Sequence, residues 1–515
     1  MDAGLGHRLR DILGADHVHT DARARVLFSQ DVFSRSDFTV KAVLAPGSTE
    51  ELAQAVAACI EAGFAVIPRG GGLSYTGGYL PTRADTVAID TARLNRVLEI
   101  NREDMYVRVE AGCSWADLHK ALKGKGVRTP FWGTLSGLYA TIGGSASQNS
   151  IFFGSGLYGT SAASFTNMKI ITANGGAFET GRDFFRHYGP DVTGLFTGDC
   201  GALGIKAELT LRLIPAPAHK AHASFSFARW QDMIPAMSEV SRRGLASECF
   251  GFDPHLQAQR MKRESLAKDV KSLAGAMKAS GSALGAIRTA ARLARAGRGF
   301  MKDVPWSVHL TAENRHKAGA EADIAEIRNI MIKAGGTEIE NAIPTLVTAN
   351  PFMPPNSMIG PEGERWAPVH AIAPHTKAPA LMAAIEALFE AHADEMDRHG
   401  ITTGYLLTSI GQSAIVLEPV FFWPDALMDI HRDRVEAGHL KNIRGFSENR
   451  PARDAVTNLR AKLIKVMAAH GAAHLQIGKS YPYRAGVDVA KFALLKAIKT
   501  RLDPHGLINP GALGL

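Results

Sequence analysis

Three short glycine-rich segments carry most of the residues in this chain that could do chemistry. The first is 68–78, PRGGGLSYTGG, directly after the apolar run FAVIP. Successive glycines let main-chain N–H groups converge on one anion, and a pyrophosphate suits such a nest. Arg69 and Ser74 would add side-chain donors. The segment has neither the GxGxxG pattern of a dinucleotide-binding turn nor the Gly-Lys-Ser/Thr ending of a P-loop. Taken alone, it is equally compatible with an ordinary turn.

Two further segments, 141–159 and 195–205, repeat this composition. The second reads TIGGSASQNSIFFGSGLYG, and its small residues recur every few positions, so a flat, extended ligand can lie against the main chain. The third reads LFTGDCGALGI and precedes the strand-like run KAELTLRLIP. Together they predict one extended ligand held by several loops.

The elements around these segments alternate between strand and helix patterns. KAVLAP and FAVIPRG are short apolar runs that flank the helical TEELAQAVAACIEAG. TVAIDT, VLEINRE and MYVRVEAG follow as strands, before the helix SWADLHKALKGKG. Strands such as HASFSFA and SAIVLEPVFFW recur in the middle of the chain, and helices such as VAKFALLKAIKTRLD towards its end. The pattern predicts an α+β protein.

The length of 515 residues predicts more than one domain, because a single hydrophobic core rarely exceeds roughly 250–300 residues. Two prolines in LTLRLIPAPAHK favour a boundary near 215–220. We expect an N-terminal part at 1–218, a central domain at 219–458, and a C-terminal segment at 459–515 that returns to the first part.

The positive charge is concentrated in one segment. Between Lys262 and Lys302 there are ten Lys and Arg residues against two acids, an excess equal to the net charge of +8 of the whole chain. Because the rest is balanced, a nucleic-acid-binding surface is not expected. The segment has the composition of a cationic amphipathic helix, which predicts either peripheral contact with an anionic membrane or a solvated helix of the central domain.

Composition also narrows the setting of the protein. No run approaches the roughly 20 apolar residues that cross a bilayer, and the N-terminus reads as a charged helix rather than a signal peptide. The four cysteines are scattered, without the spacing of a thiolate metal site or a disulfide framework. We expect a cytoplasmic protein, or one on the inner face of a membrane.

In this order and spacing the three glycine segments resemble the FAD-binding domain of the vanillyl-alcohol oxidase/p-cresol methylhydroxylase (PCMH-type) flavoproteins. PGSTEELAQAV, LNRVLEINREDMYVRVEAGCSWADL and the closing DPHGLINPG fit as well. The resemblance covers about 40–220 and 495–515, and the middle in outline. It implies an α+β fold in which both chain ends form a two-part FAD-binding domain. A central α+β cap (substrate) domain with an antiparallel sheet would cover the flavin.

The resemblance also implies the cofactor-binding residues. The first segment and Gly143–Gly144 would cradle the pyrophosphate, Asn149 to Gly159 would line the flavin, and the third segment would hold the adenine side. The full set is Pro68, Arg69, Gly70, Gly71, Gly72, Leu73, Ser74, Gly77, Gly78, Trp132, Thr134, Leu135, Ile142, Gly143, Gly144, Ser147, Asn149, Gly154, Gly156, Tyr158, Gly159, Gly201, Gly204, Ile205 and Asn509. Some relatives attach the flavin to a histidine in the first loop. Leu73 stands at that place here, so we expect non-covalent FAD, unless a histidine of the cap attaches it.

The resemblance implies a FAD-linked oxidase or dehydrogenase that takes a hydride from a small hydroxylated substrate. One branch acts on 2-hydroxy acids and often uses a metal held by HxGDGNxH-like and EHGIG-like segments. The counterparts here, SIGQSAIV (409–416) and HLQIGK (474–479), lack those ligands, so we expect no metal. The other branch oxidises para-hydroxybenzylic compounds with a Tyr-Arg pair. The corresponding place here, 471–474, has no such pair, and Tyr481, Tyr483 and Arg484 slightly downstream could substitute for it. Both substrate classes stay open.

Histidine suits the removal of a hydroxyl proton near neutral pH. We therefore predict His370, His474 and Tyr483 as catalytic candidates, with a structural role as the alternative for each. The expected partners are a small-molecule substrate, an electron acceptor (oxygen, a quinone or a cytochrome) and a second copy of the chain. A non-catalytic flavin-binding electron-transfer or interaction subunit is the alternative of another class.

Overall fold

The computed structural model describes residues 3–257 and 306–515, so the basic segment 262–302 lies outside the described residues. The described chain is an α+β structure. It contains a small, mostly parallel sheet, two larger antiparallel sheets, and helices that pack on them. A membrane-spanning helix is not among the described helices, since none is both long and apolar enough. No group of three or more His, Cys, Asp or Glu residues in 3–257 and 306–515 is arranged to hold a metal ion.

A small sheet positions the first glycine segment. Its strands, in spatial order, are β1 (Val18–His19), β2 (Val43–Leu44), β4 (Thr86–Asp90) and β3 (Ala65–Arg69), of which β2, β4 and β3 are parallel. Helices α1 (Ala3–Leu13), α2 (Ala22–Leu27) and α3 (Thr49–Glu61) accompany it. Because β3 ends at Arg69, loop 70–78 leaves the sheet at the carboxyl end of a parallel strand. Ligands of open α/β sheets bind at that edge.

A five-stranded antiparallel sheet lies beside it and carries the other two glycine segments. Its order is β5 (Val97–Asn101), β6 (Tyr106–Glu110), β10 (Ile205–Arg212), β8 (Phe165–Ile171) and β9 (Ala177–Glu179). The short strands β7 (Val127–Arg128) and β11 (Ile214–Pro215) pair next to it. Four helices precede or follow these strands, namely α4 (Trp115–Leu122), α5 (Ile142–Gln148), α6 (Ser155–Tyr158) and α7 (Val192–Leu195). Its core contains alternating strand residues such as Val107, Val109, Leu209 and Leu211, all buried.

An eight-stranded sheet forms the central part of the chain. Seven strands follow the order β15 (Thr337–Ile339), β12 (His219–Phe227), β14 (Trp306–Asn314), β13 (Glu248–Phe252), β18 (Thr402–Ile410), β19 (Ala414–Trp423) and β16 (Arg365–Pro368), and β17 (Ala371–Pro374) pairs with β19. All of these pairs are antiparallel. The predicted antiparallel cap sheet is therefore confirmed.

The two faces of this sheet differ. One face packs under helices in the largest hydrophobic core, to which β19 contributes Ile415, Leu417, Phe421 and Trp423. Because strand side chains alternate, residues 416, 418, 420 and 422 point to the other face. The helices of this part are α8 (Trp230–Arg242), α9 (Lys317–Lys333), α10 (Ala342–Ala349), α11 (Ala378–Glu390), α12 (Ala393–His399), α13 (Asp429–Arg434), α14 (Ala437–Leu440) and α15 (Arg450–Ala469).

The end of the chain returns to the N-terminal part through α16 (Tyr483–Gly486) and α17 (Val489–Leu502). Ile508 bridges β3 at Val66, and the ammonium group of Lys499 donates to the carbonyls of Ala202 and Ile508. The structure differs from the boundary predicted at 458/459, which falls inside α15. The apolar face of that helix, including Leu459, Leu463 and Met467, packs in the core of the central sheet, so the whole helix belongs to the cap. The boundary predicted at 218/219 lies between β11 and β12.

Candidate functional site

One cavity of about 970 Å³ lies between the glycine segments and the central sheet. Its volume is at the upper end of the range of small-molecule and cofactor sites. All three glycine segments contribute to its wall, and the inner face of the cap sheet forms the opposite side. The cavity therefore connects the glycine segments with the central sheet, a part of the chain for which the sequence predicted only the fold in outline.

The first glycine segment leaves no room for side chains at its centre. A Cβ added to Gly70 would overlap the hydroxyl of Thr141, and one added to Gly71 would overlap the carbonyl oxygen of Tyr139. The main chain of this loop is thus packed against the second segment while it lines the cavity. Asp31, which is buried, holds the loop by accepting a hydrogen bond from the N–H of Gly77 at 2.7 Å.

Arg69 places a cation at this end of the cavity. Its guanidinium group is 2% exposed and donates one hydrogen bond to the carbonyl of Leu27. Its Nε and Nη2 groups are buried without a partner among the described residues. The guanidinium carbon lies over the rings of Phe28 and Tyr79, 4.3 and 5.2 Å from their centroids, and packs against Gly72 of the loop. The main chain of 70–72, which lines the cavity, fits the pyrophosphate of FAD.

The second and third segments meet at the same end. A Cβ on Gly143 would overlap Ala111, and Gly201 adopts a φ of +70° against the ring of Pro68. The carboxamide of Asn509 ties the loops together, because its Nδ2 donates to the carbonyls of Gly78 and Cys200 at 2.8 and 2.6 Å. The closing segment of the chain thus fixes the distance between two glycine loops.

The cap end of the cavity is mainly apolar. Its walls contain aromatic and aliphatic side chains from the inner face of the cap sheet and from the segment 343–358, among them Phe250, Phe252, Leu406, Val416, Trp366, Ile343, Val347 and Met358. The polar side chains that interrupt this surface include Tyr75, Thr408, Glu418 and Gln476. Such a surface suits an apolar body with few polar groups.

Tyr75 stands between the two ends of the cavity. Its ring packs edge-on against Trp366, with 5.5 Å between ring centroids, and its hydroxyl accepts a hydrogen bond from Nε2 of Gln476 at 3.1 Å. Burial, followed by the nearby carboxylate of Glu418, raises the pKa of Tyr75. The hydroxyl therefore keeps its proton at neutral pH and can donate a hydrogen bond.

Many of the predicted cofactor-binding residues line this cavity. They are Pro68, Arg69, Gly70, Gly71, Gly72, Leu73, Ser74, Gly78, Thr134, Leu135, Gly143, Gly144, Ser147, Gly201, Gly204 and Ile205. Their individual contacts with FAD stay predictions. The resemblance to the PCMH-type flavoproteins implied this set from the sequence.

Other predicted residues lie behind the wall. They are Gly77, Trp132, Ile142, Asn149, Gly154, Gly156, Tyr158, Gly159 and Asn509. Several of them join loop 149–159 to the cap: the N–H of Gly154 donates to Glu248 at 2.9 Å, and that of Gly156 donates to the carbonyl of Ser247 at 2.9 Å. Glycines such as Gly154 and Gly156, which contact the cap, could not be distinguished in the sequence from glycines of the cavity wall, because close packing requires a small residue in both places.

The predicted catalytic residue His370 is placed away from the cavity wall. It is 1% exposed, and both ring nitrogens have partners: Nε2 lies 2.8 Å from the carbonyl oxygen of Leu475 and Nδ1 lies 3.0 Å from the hydroxyl of Tyr481. The Tyr481 hydroxyl accepts a hydrogen bond from the main-chain N–H of His370, so its own proton points to Nδ1. Burial lowers the pKa of His370 to about 3, which keeps the ring neutral.

His474 and Tyr483 are likewise outside the cavity wall. His474 stacks on Tyr481 with 4.1 Å between ring centroids, and its Nδ1 lies 2.8 Å from the carbonyl oxygen of His370. Tyr483 packs with Cys200, Ala512 and Leu513 near the end of the chain. In this geometry the three residues contact structural neighbours rather than the cavity, and their catalytic role stays a prediction.

The sequence analysis missed most of the cap residues that line the cavity. Glu418 offered one signal, because a charged residue interrupts the apolar run AIVLEPVFFW of β19. Phe250 and Phe252 show the period of two of a strand, but only the sheet order reveals that they share a face with Leu406 and Val416. Asp31 gave no signal, since its partner Gly77 lies 46 residues away.

A buried charge cluster joins the cap to loop 149–159 beside the cavity. Glu313 forms ion pairs with Arg128 and Lys220. Glu248 accepts hydrogen bonds from Gly154 and Ser247. Burial, together with the negative charge of Glu313, raises the pKa of Glu248 to about 7. The cations lower the pKa of Glu313 although burial opposes them. Glu313 is thus ionised at neutral pH, whereas Glu248 gains and loses its proton near pH 7.

Two family models match the chain. Residues 40–181 match the FAD binding domain, and residues 477–513 match the C-terminal domain of FAD linked oxidases. The first range includes the first two glycine segments, and the second includes Gln476's neighbours and Asn509. These matches agree with the cavity geometry at both ends of the chain.

Curated relatives are similar to less than half of the chain. The chain is 29% identical over 214 residues to glycolate oxidase subunit GlcD of Bacillus subtilis (strain 168), covering 41% of this chain and 45% of that protein. It is 30% identical over 229 residues to D-lactate dehydrogenase (cytochrome) 1, mitochondrial, of Saccharomyces cerevisiae, covering 44% and 37%. It is 29% identical over 252 residues to 1'-carboxy-chondrochloren decarboxylase of Chondromyces crocatus, covering 45% and 44%. Each match thus spans less than half of the relative's length.

Solved structures share the whole fold at low identity. p-Cresol methylhydroxylase with substrate bound superposes with a TM-score of 0.73 at 14% identity, covering 99% of this chain and 96% of that one. 4-Ethylphenol oxidase from Gulosibacter chungangensis gives 0.69 at 18% identity, covering 99% and 97%. The fold is therefore that of the PCMH-type flavoproteins, as the sequence predicted.

Proposed function

Because the chain carries the FAD-binding domain and the C-terminal segment of the FAD-linked oxidases, we propose that it is a FAD-dependent oxidoreductase. Its substrate is a small hydroxylated molecule that gives up a hydride. The observation that carries this proposal is one cavity that joins three glycine loops to an apolar cap.

The glycine end of the cavity would hold the cofactor. The main chain of 70–74 would bind the pyrophosphate, and Arg69, Asp31 and Asn509 would keep the loops in place. FAD is bound without a covalent bond, since Leu73 occupies the wall where some relatives have a histidine. When bound, FAD supplies the hydride acceptor.

The cap end would bind the substrate. Phe250, Phe252 and Leu406 cover its apolar part and exclude water from the reacting carbon. The exclusion of water strengthens the few polar contacts inside. Tyr75 can donate a hydrogen bond to the substrate oxygen, because its own pKa is raised and its proton is retained.

Two substrate classes are compatible with this arrangement. The names of the relatives that act on glycolate or D-lactate favour a 2-hydroxy acid, and the PCMH-type fold allows a para-hydroxybenzylic alcohol or alkylphenol. Arg69 and Lys206 are the cations in the described wall, and both lie at the glycine end, where Lys206 is paired with Asp199. The charged side chains in the described wall at the cap end are the acids Glu418 and Glu436.

The proposal extends to the setting of the enzyme. Oxygen, a quinone or a cytochrome would reoxidise the flavin, and the protein would act as a cytoplasmic homodimer. Fractionation of cells, light scattering of the purified protein and reoxidation assays with each acceptor test these points separately.

The first experiment is a visible absorption spectrum before and after acid precipitation, followed by anaerobic titration with D-lactate, glycolate and vanillyl alcohol. The expected result is a flavin spectrum that moves to the supernatant and is bleached by a substrate of one class. Colour that stays in the pellet would contradict non-covalent binding. A bound flavin that no reductant of this kind bleaches would favour the non-catalytic flavin-binding subunit, and a colourless protein that FAD cannot reconstitute would overturn the proposal.

A further inference from the structure

Gln476 holds a main-chain conformation that residues with a side chain rarely adopt. Its φ is +45°, in the left-handed region. This region costs a residue with a Cβ roughly 1–2 kcal/mol, whereas glycine adopts it without that cost. Position 476 thus carries a glutamine although a glycine there would relieve the backbone strain. Strain of this kind is concentrated at sites where function requires the side chain.

Hydrogen bonds on both sides fix this conformation. The N–H of Gln476 donates to the carbonyl of Gln148 at 2.9 Å, and the N–H of Gly478 donates to the sulfur of Cys200 at 3.1 Å. His370, through its ring, holds the carbonyl of Leu475. The position of the Gln476 side chain is therefore set by three separate parts of the fold.

The carboxamide of Gln476 lies in the cavity wall with hydrogen-bonding capacity left over. One N–H donates to the hydroxyl of Tyr75 at 3.1 Å. A carboxamide has a second N–H and an acceptor oxygen, and neither has a partner among the described residues. Apolar side chains such as Trp366 and Val416 line the same end of the cavity. A neutral donor and a neutral acceptor are thus offered together beside apolar side chains, with Thr408 and Glu418 as polar neighbours in the same wall.

On the basis of the proposed function, we infer that Gln476 is the specificity-determining residue of the cavity and selects an uncharged hydroxyl on an apolar body. Its carboxamide oxygen accepts the hydrogen bond of the substrate hydroxyl, and its free N–H donates to the hydroxyl oxygen. The substrate class is an aromatic or aliphatic alcohol without a carboxylate. A site built to pair with a hydroxyl rejects an analogue that leaves its polar groups unpaired.

The test compares Gln476→Gly and Gln476→Asn with the wild-type holoenzyme. FAD content is measured first, then melting temperature, and then binding and anaerobic flavin reduction with benzyl alcohol, 1-octanol and D-lactate. Gln476→Gly should melt at the same or a higher temperature, keep its FAD, and lose at least tenfold in the rate of reduction or in the affinity for the alcohols. Gln476→Asn keeps an amide and tolerates the left-handed region, so it should retain more activity than the glycine variant.

Met105→Gly is the matched control. Met105 also has a left-handed φ, of +58°, but lies outside the cavity wall, so this variant should leave reduction by the alcohols unchanged. A lower melting temperature for Gln476→Gly, or an unchanged response to the alcohols, would overturn the inference. A flavin that D-lactate bleaches and that neither alcohol perturbs would also overturn it. A colourless wild-type protein would contradict the proposed function itself, and the inference would fall with it.

Discussion

At the scale of single residues, the hydrogen bonds of His370 and His474 go to other groups of the protein, and a catalytic role for either stays a prediction. His370 uses both ring nitrogens inside the protein and thereby holds the segment 475–476. Residue type alone favoured it as a base, because the unperturbed pKa of histidine lies near neutrality. Burial, which the sequence does not give, lowers its pKa to about 3. In this geometry His370 positions the segment that carries Gln476.

The depressed pKa of His370 has a consequence for stability. In the unfolded chain this histidine has its ordinary pKa of 6.5 and binds a proton near that pH, whereas in the folded chain it does not bind one until about pH 3. The stabilisation is therefore complete above pH 6.5 and is lost as the pH falls towards 3. We expect the free energy of unfolding of the wild type to fall more steeply below pH 6.5 than that of His370→Gln, by up to roughly 1.4 kcal/mol per pH unit. The melting temperature of the wild type should fall more steeply in the same range.

Melting curves of both proteins between pH 5 and pH 8, in flavin-loaded form, check this expectation (the range is about that over which the unfolded histidine titrates). His7→Gln, a change at an exposed histidine of α1, provides the control and should follow the wild type. Parallel curves for wild type and His370→Gln would contradict the assignment of a buried, neutral ring.

At the scale of elements, the glycine loops were predictable and the cap wall was not. The loops can be recognised in the sequence because a close approach of main chain to a ligand requires glycine at adjacent positions, as in 70–72. The cap wall is a surface assembled from alternate residues of β13, β18, β19 and β16, and its members are ordinary apolar strand residues. Which of their two faces is covered by helices depends on the sheet order, and that order follows from long-range pairing. The helix α15 shows the same limit, since its amphipathic pattern does not tell which core it joins.

The loop 70–78 gives the sharpest element-scale prediction. A Cβ at Gly71 would overlap the carbonyl oxygen of Tyr139, which belongs to main chain and cannot rotate away. Gly71→Ala should therefore displace the loop and weaken FAD binding by at least tenfold, on the order of 1.4 kcal/mol or more. Titration of the apoprotein with FAD, followed by flavin fluorescence, measures the change in Kd.

Gly438→Ala is the control for this substitution. Gly438 lies in α14, where an added Cβ meets nothing within 4 Å, so the variant should bind FAD like the wild type. Its helix should be slightly more stable, because alanine is favoured over glycine by up to about 1 kcal/mol in helices. An unchanged Kd for Gly71→Ala would show that the loop can shift without loss of the cofactor site.

At the scale of the whole molecule, the FAD-binding part and the cap meet through a buried charge cluster beside the cavity. Arg128 comes from the first part, and Lys220, Glu248 and Glu313 come from three neighbouring strands of the cap. Because Glu248 also binds the N–H of Gly154, the protonation of this carboxyl is linked to the contact between the two parts. Neither partner could be predicted from the sequence, since 65 residues separate Glu248 from Glu313 and 94 separate it from Gly154.

The raised pKa of Glu248 predicts a pH-dependent stability of this junction. Its folded pKa of about 7 lies above the value of 4.5 expected for the unfolded chain, because burial and the charge of Glu313 disfavour ionisation. The resulting stabilisation is complete below pH 4.5 and is lost as the pH rises through 7. Glu248→Gln keeps an acceptor for Gly154 and cannot ionise. We expect this variant to match the wild type near pH 5 and to melt at a higher temperature above pH 7.

Differential scanning calorimetry of the two holoproteins between pH 5 and pH 8.5, a range of about 3.5 units around the folded pKa, tests the junction. The matched control is Glu239→Gln on α8, a half-buried glutamate whose pKa is lowered by the hydrogen bonds that it accepts from Arg242 and Arg243. Because that shift has the opposite sign, the control should lose stability relative to the wild type and should not gain it above pH 7. A Glu248→Gln curve parallel to the wild type across this range would mean that Glu248 is ionised in the folded protein. The junction would then hold two buried carboxylates against Arg128 and Lys220, and the variant would be destabilised at every pH by the loss of one charge.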